Sequence, residues 1–159
     1  MRITLIRTSY EPDPDPDRGE HKFTYSIYPH KGSFKEADTV RKGYELNYKL
    51  IASYMKDTDG DTLPDIKSFV GIDSPEVILT CLKKAEEGDD LIIRVYESKG
   101  KKVKTTIRFG FDVEKIEEVD LIERPIEDTD ILFSSNELTF KINPYEIKTF
   151  KVKYLPYSQ

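Results

Sequence analysis

LIIRVYESKGKKVKTTIRF, residues 91–109, decides the fold. Leu91, Ile93 and Val95 share one side of an extended chain. Val103, Thr105, Ile107 and Phe109 alternate again beyond Ser98, Lys99 and Gly100, three residues that suit a hairpin turn. Period-two alternation over so few residues describes half-buried strands rather than helix. The lysines of KGKKVK (99–104) then sit at a hairpin tip, where they discourage edge association. Similar short runs surround this one: Ser68–Ile72, Glu137–Ile142 and Ile147–Tyr154. Strands at this spacing predict an all-β fold, an antiparallel β-sandwich.

One neighbouring stretch reads both ways. In SPEVILTCLKKAEEGDD (74–90), Ser74 is a good helix N-cap, Pro75 suits a first turn, and Ile78, Cys81, Leu82 and Ala85 have helical spacing. The strand alternative places Val77, Leu79 and Cys81 on one face. Towards the N-terminus, Ile3 to Tyr10 reads as a short strand and EPDPDPDRG (11–19) as a stiff exposed loop, since each proline biases the residue before it to an extended conformation. Lys22–Tyr28 puts Phe23, Tyr25 and Ile27 on one face, which predicts a half-buried strand. Ser33 and Glu36 have capping-box spacing, and Ala37, Val40, Tyr44 and Tyr48 recur at helical intervals. These predict one short helix near residues 35–48. The polar connection YMKDTDGDTLPD (54–65) is the best boundary in the chain. Residues 1–50 and 51–159 are therefore read as two parts.

Composition narrows the function. The 159 residues carry 25 Lys+Arg against 30 Asp+Glu, a net charge of −5, so neither nucleic acid nor an anionic membrane is an expected partner. No apolar run approaches the about 18 residues that a spanning helix needs, and the first residues do not form a signal peptide. Cys81, the single cysteine, has no internal disulfide partner. An acidic, cytoplasmic chain is expected. Two histidines and one cysteine leave little for a thiol–imidazole pair or a histidine-rich zinc site, and the 8 glycines form no phosphate-binding loop. The chemistry present suits a binding or accessory module better than a complete enzyme.

Several clusters invite a closer reading. Asp57, Asp59, Asp61 and Asp65 surround Gly60, and alternating aspartates in a turn suit a hard cation such as calcium. The EF-hand template nonetheless fails, since glycine falls at loop position 4 and Ser68 at position 12; the plainer reading is a solvated turn. His21 and His30 flank the Phe23–Ile27 run on opposite faces, so a shared metal is not expected. Asp89–Asp90 and Glu117–Glu118 project to opposite sides of a strand and read as solvated charge, because acid–base pairs need convergent carboxylates. Tyr25, Tyr28, Tyr44 and Tyr48 are candidates for stacking on sugar rings, with packing the competing role.

The block DRGEHKFTYSIYPHKGSFKEADTVRKGYELN (17–47) resembles the C-terminal β-region of glycoside hydrolase family 38 α-mannosidases. The matching residues are Asp17, Arg18, Gly19, His21, Phe23, Thr24, Tyr25, Tyr28, Pro29, His30, Tyr44, Glu45, Leu46 and Asn47. The likeness continues through SFVGIDSPEVILTCLKKAEEGDDLIIRVYESKGK (68–101), similar to the family's terminal sandwich, and closes on Pro144, Glu146, Ile147, Lys148 and Thr149. It implies a strand over Val77–Ala85 against the local helix signal. Residues 1–50 would be terminal strands and helix of the family's larger β-sandwich region, and residues 51–159 a small C-terminal β-sandwich.

The resemblance also implies a division of labour. Family 38 enzymes are retaining glycosidases whose nucleophilic aspartate and zinc ligands lie in an N-terminal domain far upstream of this block. Zinc would be bound outside this chain, no cofactor is expected within it beyond the candidate calcium, and alone it should not hydrolyse mannosides. In the family the Arg-Gly loop reaches toward the catalytic pocket, so Asp17 and Arg18 become candidates for the pocket's edge. A guanidinium there would hold a carboxylate through paired hydrogen bonds. The expected function is a C-terminal accessory β-domain that supports hydrolysis of α-mannosides, with the catalytic domain and an α-mannoside as partners. The alternative is a free-standing carbohydrate-binding module using Tyr25 and Tyr28. An apolar face near Leu5, Phe23 and Tyr25 implies a homo-oligomer for the chain by itself.

Overall fold

A computed structural model describes residues 2–9, 11–54 and 64–155. The chain forms two compact units, Met1–Lys49 and Leu50–Gln159. The first contains one helix, α1 (Thr39–Asn47). The second contains β1 (Val70–Ile72), β2 (Val77–Lys84), β3 (Leu91–Glu97), β4 (Val103–Phe109), β5 (Val113–Val119), β6 (Ile131–Ser134), β7 (Glu137–Ile142) and β8 (Ile147–Tyr154). They pair antiparallel as two four-stranded sheets, β1-β4-β7-β6 and β2-β3-β8-β5. The all-β antiparallel sandwich with one short helix is the observed fold.

Its core is the inward row of each strand. Ile93 and Val95 of β3 and Phe150 and Val152 of β8 face Ile107 of β4 and Leu138, Phe140 and Ile142 of β7, all fully or nearly fully buried. Phe140 and Phe150 meet across the two sheets with ring centroids 4.8 Å apart. Each buried side chain of this size contributes about 1.5–3 kcal/mol, so this row holds most of the unit's stability.

Both deviations from simple alternation are β-bulges. In β2 the pairing steps from Leu79 opposite Val95 to Cys81 opposite Arg94, leaving Thr80 extra. Thr80 Oγ1 donates to the Arg94 carbonyl at 3.1 Å. The bulge shifts the face by one residue, so Ile78 and Cys81, three apart, both point outward. That is the origin of the helix-like spacing, and the strand implied over Val77–Ala85 forms as β2. A second bulge between Val113 and Lys115 hides the period of β5, which sequence reasoning left unassigned together with the short β6.

The turn expected at Ser98–Gly100 is instead a crossover. β3 pairs with β2 and β8, whereas β4 pairs with β1 and β7, so residues 98–102 pass between the sheets. The first four residues of KGKKVK lie in an inter-sheet arch rather than a hairpin tip, and the last two begin β4.

The first unit departs further from expectation. Ile3–Ser9 and Lys22–Tyr28 form no strand ladder among the described residues, and no described residue of this unit is buried. Alternation supplies an apolar face, but a strand also needs a neighbour for its N–H and C=O groups. The helix starts at Thr39 rather than near residue 35 because Asp38 is left-handed (φ 51°) and offers no side-chain cap. Ser33 and Glu36 do interact, with the Ser33 N–H and Oγ both donating to Glu36 Oε2 at 2.7 and 3.0 Å, but they close a turn ahead of the helix.

Candidate functional site

The loop over residues 11–20 is organised by its own aspartates. The Asp15 N–H donates to Asp13 Oδ1 at 2.9 Å, and Asp15 Oδ1 lies 2.6 Å from Arg18 Nη1. Asp17 has positive φ (50°); His21 Nε2 donates to its carbonyl at 2.7 Å and Thr8 Oγ1 to its Oδ2 at 3.3 Å. Arg18 remains 73% exposed. Its planar fork has five N–H donors, so the contact to Asp15, its one ion pair among the described residues, leaves most of them directed to solvent or to a second carboxylate. This is a presented guanidinium on a loop fixed by local carboxylates.

The aromatic candidates do not form one platform. Tyr25, 65% exposed, lines a hollow with Ile3, Leu5 and Ile27. Tyr28 donates to the Ala37 carbonyl at 3.2 Å and leans on His30 at 5.6 Å. Tyr44 and Tyr48 stack on each other along α1 at 5.7 Å. His21 stacks on Phe23 and His30 meets Tyr28 at a tilt, so the two histidines keep separate partners. Asp65 is exposed, whereas Asp57, Asp59 and Asp61 lie outside the described residues. Among the described residues no three His, Cys, Asp or Glu side chains converge to hold a metal ion. Among them, too, no helix is long and apolar enough to cross a membrane.

In the sandwich, sequence reasoning missed two buried carboxylates. Glu97 is fully buried at one end of the core. Its oxygens accept the N–H groups of Lys99 and Gly100, each at 2.7 Å, and of Tyr145 at 3.0 Å. One carboxylate therefore ties the β3–β4 arch to the β7–β8 arch. Burial pushes its pKa up, but the backbone donors from Tyr145, Lys99, Lys101 and Gly100 outweigh that and hold it below the ordinary 4.5. Gly100 is required here: its φ is +73°, and a Cβ would come within 2.6 Å of the Tyr145 hydroxyl. Continuing the inward row Leu91, Ile93, Val95 by one step reaches Glu97, and that parity is the signal that was available. Glu118 is likewise inward and buried rather than solvated, paired with Lys148 at 2.5 Å through Oε1. The other three adjacent carboxylates lie nearer the surface: Asp89 pairs with Lys84, Asp90 approaches Lys151, and Glu117 pairs with Lys115.

At the opposite end, Asn136 plays the role that Glu97 plays here. Its Oδ1 accepts the Val113 N–H at 2.9 Å and its Nδ2 donates to Asp112 Oδ1 at 3.0 Å. Both ends are thus closed by polar side chains satisfying arch backbone. These are structural devices; none brings paired carboxylates or a nucleophile and base into one concave site.

Residues 76–150 match the model of the glycosyl hydrolases family 38 C-terminal beta sandwich domain. Over 153 residues the chain is 37% identical to alpha-mannosidase G of Dictyostelium discoideum, covering 94% of this chain and 14% of that protein. Alpha-mannosidase 2C1 of Mus musculus is 30% identical over 152 residues, again 94% and 14%. The alpha-mannosidase of Saccharomyces cerevisiae is 29% identical over 174 aligned positions, covering 97% of this chain and 16% of that protein. The chain thus spans a small part of the length of the curated relatives it matches.

Proposed function

On the premise that residues 76–150 are a glycoside hydrolase family 38 C-terminal β-sandwich domain, we propose that the chain is the non-catalytic β-region of an α-mannosidase. In this reading it scaffolds a catalytic domain, in the same polypeptide or bound to it, that hydrolyses α-mannosides with zinc held by residues outside this chain. The observation that carries the reading is 37% identity across 94% of the chain to a protein named as an α-mannosidase, of which it spans 14%. Residues 1–50 would complete a larger β-region, supplying extended segments and α1 to sheets that the remainder of the enzyme provides.

Within that role, Arg18 would be the residue that touches chemistry. Presented on a loop braced by Asp13, Asp15 and Asp17, its guanidinium would orient a carboxylate at the pocket's edge through paired charge-assisted hydrogen bonds. In the intact α-mannosidase, Arg18→Ala should lower kcat while leaving the melting temperature unchanged, since an exposed side chain contributes little to folding. An unchanged kcat removes the pocket role and leaves the scaffold role standing. The 159-residue chain alone should release no mannose from an α-mannoside; hydrolysis by the isolated chain would overturn the division of labour. Heat on titrating it with mannose would instead favour a free-standing sugar-binding module.

A further inference from the structure

The two outward faces of the sandwich are chemically unlike. Side chains directly opposite each other in an antiparallel ladder share a face. On the outside of β1-β4-β7-β6, the register sets Lys104 beside Lys141, Thr106 beside Thr139 and Arg108 beside Glu137. The threonine hydroxyls meet at 3.1 Å, and Arg108 Nε donates to Glu137 Oε1 at 2.9 Å. Leu132 on β6 is the apolar exception. This face is built for water.

The outside of β2-β3-β8-β5 is mixed: Lys83, Lys151 and Glu117 put charge on the row through Ile92, whereas the other end of the face is apolar. Its first row across three strands is Ile78, Tyr96 and Ile147. Ile147 is 54% exposed, in a position where a solvated sheet would carry charge. Over the next row, which contains Arg94 and Thr149, residues 120–126 fold back from β5 as a strap. Arg94 Nε donates to Thr149 Oγ1 and its Nη2 to the Leu121 carbonyl at 2.9 Å. The Asp120 carboxylate accepts the N–H groups of Ile122 and Arg124, and Glu123 reaches Lys83 of β2 at 2.7 Å and the Glu86 N–H at 2.8 Å. A turn pinned at so many points presents its tip in one conformation. The tip is Leu121 and Ile122, 59% and 68% exposed.

We infer that this face, with Ile147, Leu121 and Ile122 at its centre, docks against the rest of the α-mannosidase polypeptide, and that the β1-β4-β7-β6 face is the solvent side. The inference rests on the function proposed above. The occupant follows from length: every residue of the row and the strap lies within the matched 76–150 region, and the chain spans only 14% of the Dictyostelium protein. Such a protein brings several times this chain's mass to the region. An apolar patch held rigid before contact loses little conformational entropy on burial, which suits a permanent intramolecular interface.

Hydroxyl-radical footprinting of the 159-residue chain, alone and as part of or bound to the active α-mannosidase, tests the inference. Labelling of Ile147, Leu121 and Ile122 should fall severalfold in the enzyme while Leu132 is unchanged. Protection of Leu132 instead, or full labelling of both faces in an active enzyme, overturns it. Protection that already appears in the isolated chain and grows with its concentration overturns it in favour of a second copy. If no α-mannosidase activity accompanies the chain, the proposed function itself falls, an outcome distinct from an active enzyme whose Ile122 stays labelled. As a second readout, Ile122→Asp and Ile147→Asp should leave the melting of the isolated chain unchanged and lower that of the enzyme, with Leu132→Asp neutral in both. Equal effects from Ile122→Asp and Leu132→Asp would contradict the assignment.

Discussion

Lys22–Tyr28 and Leu91–Glu97 are near-copies as patterns, each seven residues long with apolar side chains on alternate positions. The second is the β3 strand, hydrogen-bonded on both edges and carrying Ile93 and Val95 at zero exposure. The first has no ladder among the described residues, with Phe23, Tyr25 and Ile27 exposed. Alternation therefore specifies which side of a chain is apolar and says nothing about whether a neighbour exists to bury it. The unit over residues 50–159 supplies its own neighbours; among the described residues, the unit over residues 1–49 does not. The stability of the isolated chain should reside almost wholly in the sandwich.

Matched truncations would break that contrast most directly. Phe150→Ala removes a fully buried ring from the inter-sheet contact and should cost about 3–5 kcal/mol, whereas Phe23→Ala should stay within about 0.5 kcal/mol. Chemical denaturation of the isolated chain measures both, and comparable losses would mean that residues 1–49 have a core of their own. Next in size is Glu97. Glu97→Ala leaves three arch N–H groups without their acceptor, at a cost of about 1–3 kcal/mol or more. The effect has a pH signature. Because the folded pKa is held below 4.5, the carboxylate's contribution is fully present above that value and is lost as pH falls through the folded pKa. Glu97→Gln should therefore flatten the acid limb of stability against pH. An acid limb identical to that of the parent would mean that other carboxylates carry it.

The sandwich was largely legible because its strands announce themselves by period. Leu91–Glu97, Glu137–Ile142 and Ile147–Tyr154 coincide with β3, β7 and β8. What stayed hidden was non-local. Thr80 and the Val113–Lys115 step are bulges, visible only once the partner strand fixes a register. Whether Ser98–Gly100 returns to the same sheet or crosses to the other depends on the partners of β4, which no local pattern encodes. The burial of Glu97 follows from its inward parity only once two arches deliver their N–H groups to it. At the candidate site, the exposed loop over residues 11–19 was legible from its prolines, whereas Asp17 and Arg18 became candidates only through the family resemblance. The brace formed by Asp13 and Asp15 depends on a tight local backbone path that alternating prolines suggest but do not define.

The smallest expected effect on folding concerns the hollow lined by Ile3, Leu5, Tyr25 and Ile27, and it sharpens the comparison where melting cannot. If these residues are apolar because something else covers them, replacing Ile27 costs the isolated chain nothing in stability but removes part of a surface that seeks a partner. Ile27→Ser should then leave the denaturation midpoint unchanged within about 0.5 kcal/mol and reduce concentration-dependent self-association seen by light scattering. Hydrophobic surface that two copies can share is the driving force for that association, so the change should follow apolar area rather than charge. Leu132→Ser on the solvated sheet face, removing a similarly exposed aliphatic side chain, is the control. A drop in association from Leu132→Ser as large as that from Ile27→Ser would show that exposed apolar area alone sets the behaviour, and that the hollow has no specific role. A parent chain that is a clean monomer at every concentration would remove the premise, leaving residues 1–49 apolar on one side without a tendency to be covered.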